Sequence, residues 1–241
     1  MTTLILARHY MRATFGSKFA VLFNAVQPIL FLVLFGPLFA RSGVGSWEVL
    51  VPGLLVQLSL MSTGLAGFDI FLDQRFGVLE RLRVTPASRV SLLLGRVIRD
   101  VAVLSVQSAL LIAIGWAFGL RAPLAGVLLG LALLLVLAVG LASLSYAAAL
   151  AMPNDLFPPV ATTVVVPLML LSGALLPMSL APPWLDVLSR LTPFRHVVEA
   201  LRSFFAGAYV SAAVGWGLLA AAVFLVVGVA VGTRLYQRES A

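Results

Sequence analysis

The sequence predicts an all-α integral membrane protein, and composition, the length of the apolar runs and the position of the basic residues each support that fold class. Of the 241 residues, 61% are hydrophobic and 10% are charged, whereas soluble domains average about 25% charged residues. A bilayer admits only helices or closed barrels, and apolar runs of about 20 residues without strict alternation favour helices. We therefore expect one membrane domain over residues 1–241.

Residues 1–18 precede the first apolar run and predict an interfacial helix. Apolar residues recur there at steps of three and four, and arginines lie on the adjoining face. This pattern is typical of a helix in the headgroup region with its apolar side down. A disordered basic tail remains the alternative. Because the first run is too long for a signal-peptide core, we expect no cleavage.

Six apolar runs are long enough to cross a bilayer, and none contains a formal charge. The predicted spans are residues 19–40, 49–68, 101–120, 124–150, 157–176 and 211–232. Because their number is even, both termini lie on the same side as the loop after the second span.

The basic residues fix the orientation of these spans. Eleven of the 16 Lys and Arg residues fall in the two terminal tails and the loop after the second span. The positive-inside rule therefore places both termini in the cytoplasm. Since the basic excess serves membrane orientation, no nucleic-acid partner is expected.

The longest polar segment is the cytoplasmic loop at residues 69–100. Leu79 and Leu82 form an apolar edge one turn after Phe76, which predicts a short amphipathic helix. Such a helix either docks a soluble partner or belongs to a solvated loop that only sets the topology.

A second helix is expected to start within the same loop. Thr85 and Pro86 match the preferred N-cap and first position of a helix. This helix would run through the headgroups into the third span and would pair Arg96 with Asp100, four residues later. The loop therefore predicts a helix-turn-helix facing the cytoplasm.

Two short amphipathic helices are predicted at residues 177–210, between the fifth and sixth spans. The first carries Trp184 on its apolar face and is broken by Pro193. Amphipathic helices at this position suggest a re-entrant segment that dips into the outer leaflet.

The second external helix carries Arg195, Glu199 and Arg202 at intervals of four and three. These charges either form a surface ion-pair stripe that contributes little or have a functional role at the membrane. His196 is expected to hydrogen-bond locally rather than bind metal, because the sole other histidine, His9, lies across the membrane.

Few polar side chains lie within the predicted spans. Amides at membrane depth are costly unless paired, so Asn24, Gln27 and Gln57 should face the bundle or a seam between subunits. They either join helices or lie near the path of an amphiphilic molecule. Three Gly-x-x-x-Gly spacings also permit close helix approach. These begin at Gly115, Gly126 and Gly228.

Two stretches resemble one family of membrane proteins. Residues 76–89 read Phe-Gly-Val-Leu-Glu-Arg-Leu-Arg-Val-Thr-Pro-Ala-Ser-Arg, which resembles the first cytoplasmic loop of ABC-2 type transporter permeases. The segment between the last two spans resembles that of the same family, particularly its antibiotic and drug exporters. It carries the matching residues Leu171-Ser172-Gly173-Ala174, Pro177, Trp184, Pro193, His196 and 198–202.

The resemblance covers essentially the whole chain and implies a single ABC-2 type transmembrane domain. In that family the loop between spans two and three forms a coupling helix docked on a separate nucleotide-binding subunit. Two permeases, identical or homologous, pair to enclose the pathway. The coupling residues implied here are Phe76, Gly77, Leu79, Glu80, Arg81, Leu82, Thr85 and Pro86. The external gate implied here comprises Trp184, Pro193, His196, Glu199 and Arg202.

ATP hydrolysis is not expected in this chain. A Walker A loop needs a lysine followed by Ser or Thr to hold phosphate, and the sole lysine, Lys18, precedes Phe19. We therefore expect no cofactor and no enzyme activity in this chain alone. Mg-ATP would bind the partner subunit, and the assembled complex would hydrolyse it.

These expectations combine into a predicted export function in a bacterial plasma membrane. Apolar spans that contain a few amide side chains favour a small hydrophobic or amphiphilic cargo, such as a drug, natural product or lipid. Export of a polysaccharide or lipid-linked glycan is the alternative. An ATP-independent secondary transporter is less favoured, because such proteins usually place ionisable groups at the midplane.

Overall fold

The structure of the protein is a computed structural model. It describes residues 11, 26, 29–34, 36–37, 46–76, 89–153, 155–175, 178 and 181–238. The predicted interfacial helix and most of the predicted first span lie outside the described residues, as does the tip of the predicted coupling loop.

Helices account for all the regular structure in the described part of the chain. In chain order they are α1 (Trp47–Gly64), α2 (Phe68–Arg75), α3 (Arg89–Phe118), α4 (Leu124–Ala151), α5 (Phe157–Leu171), α6 (Pro183–Arg190), α7 (Pro193–Phe205) and α8 (Ala212–Arg238). Both α6 and α7 begin at a proline, where the missing N–H is not needed. The all-α fold class is therefore confirmed over these residues.

Among the residues that the structure describes, four helical segments are long and apolar enough to cross a membrane, judged by length and composition. They are Trp47–Arg75, Val90–Phe118, Leu124–Ala151 and Ala212–Leu235. These segments correspond to the second, third, fourth and sixth predicted spans. The count of six spans stays a prediction, because most of the first lies outside the described residues.

The fifth predicted span is shorter in the structure than in the prediction. The sequence predicts a helix over residues 157–176, whereas α5 ends at Leu171. Gly173 then adopts a φ of 70°, a left-handed conformation that ends helices. The break therefore falls inside the Leu-Ser-Gly-Ala stretch, which the sequence alone had placed within an apolar run.

A bend divides the second predicted span. α1 ends at Gly64, and after a short turn α2 continues to Arg75. Because α3 already begins at Arg89, the predicted loop over residues 69–100 is helical at both of its ends.

Phe76 directly follows α2, and its relation to Leu79 lies outside the described residues. The sequence places it one turn before Leu79 in a new amphipathic helix. In the structure Phe76 caps α2, and its N–H donates to the Leu72 carbonyl at 2.9 Å.

α4 and α8 cross with their backbones in contact. A Cβ added at Gly228 of α8 would lie 2.3 Å from the carbonyl oxygen of Gly140 in α4. α4 also approaches α7, because a Cβ added at Gly126 would lie 1.9 Å from the carbonyl oxygen of Phe204. The predicted spacings that begin at Gly126 and Gly228 therefore lie at close helix contacts. The remaining predicted spacing is interrupted, because Gly119 lies in the turn after α3 with a φ of 111°.

Replacing Gly228 by alanine should destabilise the protein by about 1–3 kcal/mol, because the added methyl group must displace the α4 backbone. Gly215→Ala is the matched control, since Gly215 lies in the same helix with nothing within 4 Å of an added Cβ. The measurement is the thermal unfolding midpoint in detergent. Equal midpoints for the two variants would contradict the backbone contact.

Candidate functional site

The predicted coupling residues lie on the segment that joins α2 to α3. Phe76 ends α2, and its side chain is 72% exposed. The other predicted coupling residues lie outside the described residues, so their contacts stay a prediction. They are Gly77, Leu79, Glu80, Arg81, Leu82, Thr85 and Pro86. The helices on either side, α2 and α3, are described by the structure and fix the two ends of this segment.

Two ion pairs join the arms. Arg96 of α3 contacts Asp73 of α2, with 2.5 Å between Nη2 and Oδ2, and Arg99 of α3 pairs with Asp69 of α2. The order of the partners shows that the two helices run antiparallel. Their backbones stay apart, and the long arginine side chains bridge the gap. We call α2, α3 and these two pairs the ion-paired hairpin.

Asp100 has different partners from the one predicted. The sequence pairs it with Arg96, but Arg96 turns toward α2 and contacts Asp73. Asp100 instead accepts hydrogen bonds from Nε and Nη2 of Arg99, at 2.9 and 2.6 Å, and from the Tyr146 hydroxyl. Since Asp100 is 7% exposed, the charge of Arg99 compensates a buried carboxylate at the base of the hairpin.

α4 also holds the bend between α1 and α2. The Ser145 hydroxyl donates to the Gly64 carbonyl at 2.7 Å and accepts from the Gly67 N–H at 2.8 Å. These backbone groups lie on the two sides of the bend, where the α-helical ladder is interrupted. One side chain from α4 therefore satisfies both of them.

Four residues at the base of the hairpin are not among the predicted site residues, namely Asp69, Asp73, Ser145 and Tyr146. A signal existed for the two aspartates. They are four residues apart, and the loop returns with two arginines three residues apart, a mirrored pattern of opposite charge. No comparable signal marks the serine and the tyrosine, because only helix packing brings them to α2 and α3.

On the other side of the bundle, polar side chains fix the corner between α6 and α7. Arg195 of α7 donates to Asp186 of α6 at 2.5 Å and to Glu199 at 2.8 Å. Arg190 also pairs with Asp186, at 2.6 Å. Hydrogen bonds from Arg195, opposed by burial and reinforced by Arg190, lower the pKa of Asp186 below its usual value. The carboxylate therefore stays ionised at neutral pH.

Arg202 departs from the predicted stripe of charges. It turns into the protein, where Nε donates to the Val49 carbonyl at 3.1 Å and Nη2 to the Gly173 carbonyl at 2.8 Å. Burial, partly opposed by the charge of Glu199, lowers the pKa of Arg202 to about 10. The guanidinium is thus protonated at neutral pH and joins α7 to the start of α1 and the break after α5.

The break after α5 is held against α1 by a second contact. A Cβ added at Gly53 of α1 would lie 1.8 Å from the carbonyl oxygen of Ala174. Within the turn itself, the Ser172 hydroxyl accepts from the Ala174 N–H at 3.2 Å. The Leu-Ser-Gly-Ala stretch is therefore a buried turn clamped between α1 and Arg202.

The other predicted gate residues lie on α6 and α7. Trp184 is 67% exposed on α6, and Pro193 starts α7. The His196 ring contacts the Arg190 carbonyl through Nε2 at 3.1 Å and lies 6.0 Å from the ring of Trp216. Within the described residues, no group of His, Asp and Glu side chains is arranged to hold a metal ion.

Of the predicted pathway residues, the structure describes Gln57, whereas Asn24 and Gln27 lie outside the described residues. Gln57 is 2% exposed, and its Oε1 accepts no hydrogen bond from the described residues. A cavity of about 250 Å³ lies elsewhere, between α1, α4 and α5. Its lining is almost wholly apolar and includes Leu60, Leu141, Phe157, Val165, Phe194 and Phe224.

Comparison with known proteins identifies relatives among transport permeases. The chain is 29% identical over 191 residues to the putative transport permease ycf38 of Porphyra purpurea, a match that covers 75% of this chain and 65% of that protein. It is 28% identical over 226 residues to the daunorubicin resistance ABC transporter permease protein DrrB1 of Streptomyces coeruleorubidus, with 92% of this chain and 79% of that protein covered. The chain thus spans about two thirds of the length of the ycf38 protein.

A family model agrees with these relatives. The model of the ABC-2 type transporter family matches residues 2–206. The matched region includes the ion-paired hairpin, the segment between its arms and the buried turn after α5. This chain therefore belongs to the ABC-2 type transporter family.

Proposed function

We propose that this chain is the membrane permease subunit of an ATP-binding cassette exporter and that a separate subunit hydrolyses the ATP. The observation that carries the proposal is the ion-paired hairpin. Its two arms are tied to each other through Asp69–Arg99 and Asp73–Arg96 and to α4 through Tyr146. A segment mounted on such arms can transmit force, whereas a loop that only sets topology needs no such ties.

The partner of this segment is a nucleotide-binding subunit. Leu79 and Leu82 supply a small apolar contact, and Glu80 and Arg81 set its register at a polar rim. The chain has no Walker A lysine of its own, which is consistent with Mg-ATP bound by the partner. Two permeases, identical or homologous, enclose the pathway in a bacterial plasma membrane, with both termini in the cytoplasm.

The cargo is a hydrophobic or amphiphilic compound, such as a drug, natural product or lipid. The apolar lining of the cavity between α1, α4 and α5 supports this class. The name of the relative DrrB1, which refers to daunorubicin resistance, favours a drug over a polysaccharide or lipid-linked glycan. In this proposal the external helices α6 and α7 form the gate on the exit side.

Replacing Glu80 or Leu82 by alanine should weaken binding of the nucleotide-binding subunit by about tenfold, because truncating an anchor side chain typically costs more than about 1 kcal/mol. The measurements are copurification of the two subunits and ATPase activity coupled to transport. Val210→Ala is the control, since Val210 is 98% exposed in the connection before α8. Unchanged copurification and turnover in both loop variants would contradict the coupling role.

A further inference from the structure

Two consecutive residues of α4 connect it to the ion-paired hairpin. Ser145 bonds the backbone on both sides of the bend that separates α1 from α2. Tyr146 is fully buried, and its hydroxyl donates to Asp100 and accepts from Nη2 of Arg99 at 3.1 Å. One residue therefore holds the α2 arm and the next holds the α3 arm.

The packing around these residues leaves little room for independent sliding. A Cβ added at Gly67 would lie 2.4 Å from the Ser145 carbonyl oxygen, so α4 touches the bend through its backbone. Apolar contacts tolerate small shifts, whereas hydrogen bonds weaken steeply when their geometry changes. The hydrogen bonds of Ser145 and Tyr146 are therefore the part of this contact that resists a change in geometry.

α4 in turn packs against α8 with their backbones in close contact. A Cβ at Gly228 would lie 2.3 Å from the Gly140 carbonyl oxygen, and one at Gly232 would lie 3.2 Å from the Ser143 carbonyl oxygen. A displacement of α4 therefore acts directly on α8 through the backbone. A continuous chain of contacts runs from the hairpin through α4 to α8.

We propose that Ser145 and Tyr146 are positioning residues that transmit a displacement of the ion-paired hairpin to α4 and so to α8. The inference rests on the proposed function, because the nucleotide-binding subunit supplies the displacement. In this scheme the hairpin turns about the bend at residues 64–67. The two hydroxyl groups convert that turn into a movement of α4.

The test uses Ser145→Ala and Tyr146→Phe in the complete complex with its nucleotide-binding subunit, because each substitution removes a hydroxyl and keeps most of the packing. Copurification and basal ATPase activity should be unchanged. Cargo moved per ATP should fall by about tenfold for Tyr146→Phe, since a hydrogen bond to a charged group changes an equilibrium by about that factor. The double variant should lose less than the product of the two single losses, because both residues act on one link.

Ser143→Ala is the matched control. Ser143 is also a buried serine of α4, but its hydroxyl donates at 2.8 Å to Val139 within the same helix. Cargo moved per ATP should therefore stay at the wild-type level in this variant. Two results would overturn the inference. One is a wild-type amount of cargo moved per ATP in both Ser145→Ala and Tyr146→Phe. The other is an equal loss of cargo moved per ATP in Ser143→Ala.

The Leu82→Ala variant separates this inference from the proposed function. If Leu82→Ala weakens copurification while the two α4 variants transport normally, the inference fails and the proposed function stands. If Leu82→Ala and Glu80→Ala both copurify and turn over normally, the proposed function fails, and the inference fails with it.

Discussion

Replacing Arg99 by methionine is expected to destabilise the protein by about 3–5 kcal/mol, because removing one partner of a buried ion pair leaves an uncompensated charge. Asp100 is that charge, since it is 7% exposed and accepts two hydrogen bonds from Arg99. The pair with Asp69 contributes less, because the Asp69 side chain is 41% exposed. Thermal unfolding in detergent measures the loss.

Two further variants make this prediction specific. Arg190→Met should change stability little, because the Arg190 side chain is 65% exposed and exposed ion pairs contribute little. Adding Asp100→Asn to Arg99→Met should recover part of the loss, since the amide removes the buried charge. Equal unfolding midpoints for Arg99→Met and Arg190→Met would show that Asp100 is not compensated by Arg99.

Replacing Arg202 by methionine is the second large effect and should cost about 3 kcal/mol, because hydrogen bonds from a charged donor contribute about 1.5–3 kcal/mol each. The variant removes the donors to Val49 and Gly173, while methionine retains most of the apolar volume. Since Arg202 joins α7 to α1 and the turn after α5, we also expect export to fall in the proposed transporter.

Arg202→Lys distinguishes the two-point contact from charge alone. A lysine keeps the positive charge but lacks the planar fork that reaches two carbonyl groups. Its stability should therefore lie between those of the wild type and Arg202→Met in the same unfolding assay. A lysine variant as stable as the wild type would show that charge, and not the fork, holds the turn after α5.

Much of the fold followed from local patterns in the sequence. Apolar runs located the second, third, fourth and sixth spans, because a span must be apolar wherever it meets lipid. The helical segments of the second and third spans extend beyond these runs, to Arg75 and back to Val90. The break predicted at Pro193 is present, because α6 ends at Arg190 and α7 begins at Pro193. The loop and gate motifs pointed to the family that the model match and the relatives then identified.

Errors arose where a residue had several partners within reach. Arg96 was paired with Asp100 on the same helix, yet it contacts Asp73 on a neighbouring helix. Arg202 was placed in a row with Arg195 and Glu199, yet it points into the protein. Helical spacing gives the direction in which a side chain points around the axis of its own helix. It does not show which neighbouring helix that side chain faces.

The sequence by itself determined the all-helical membrane body, its family and the absence of a Walker A lysine, because composition and contiguous motifs are local properties. Tertiary structure alone decided that α4 holds both arms of the hairpin and that Arg202 closes the turn after α5 onto α1. Those contacts join residues 29 to 153 positions apart along the chain. Such pairs depend on the rotation and depth of each packed helix, which no contiguous stretch of sequence encodes.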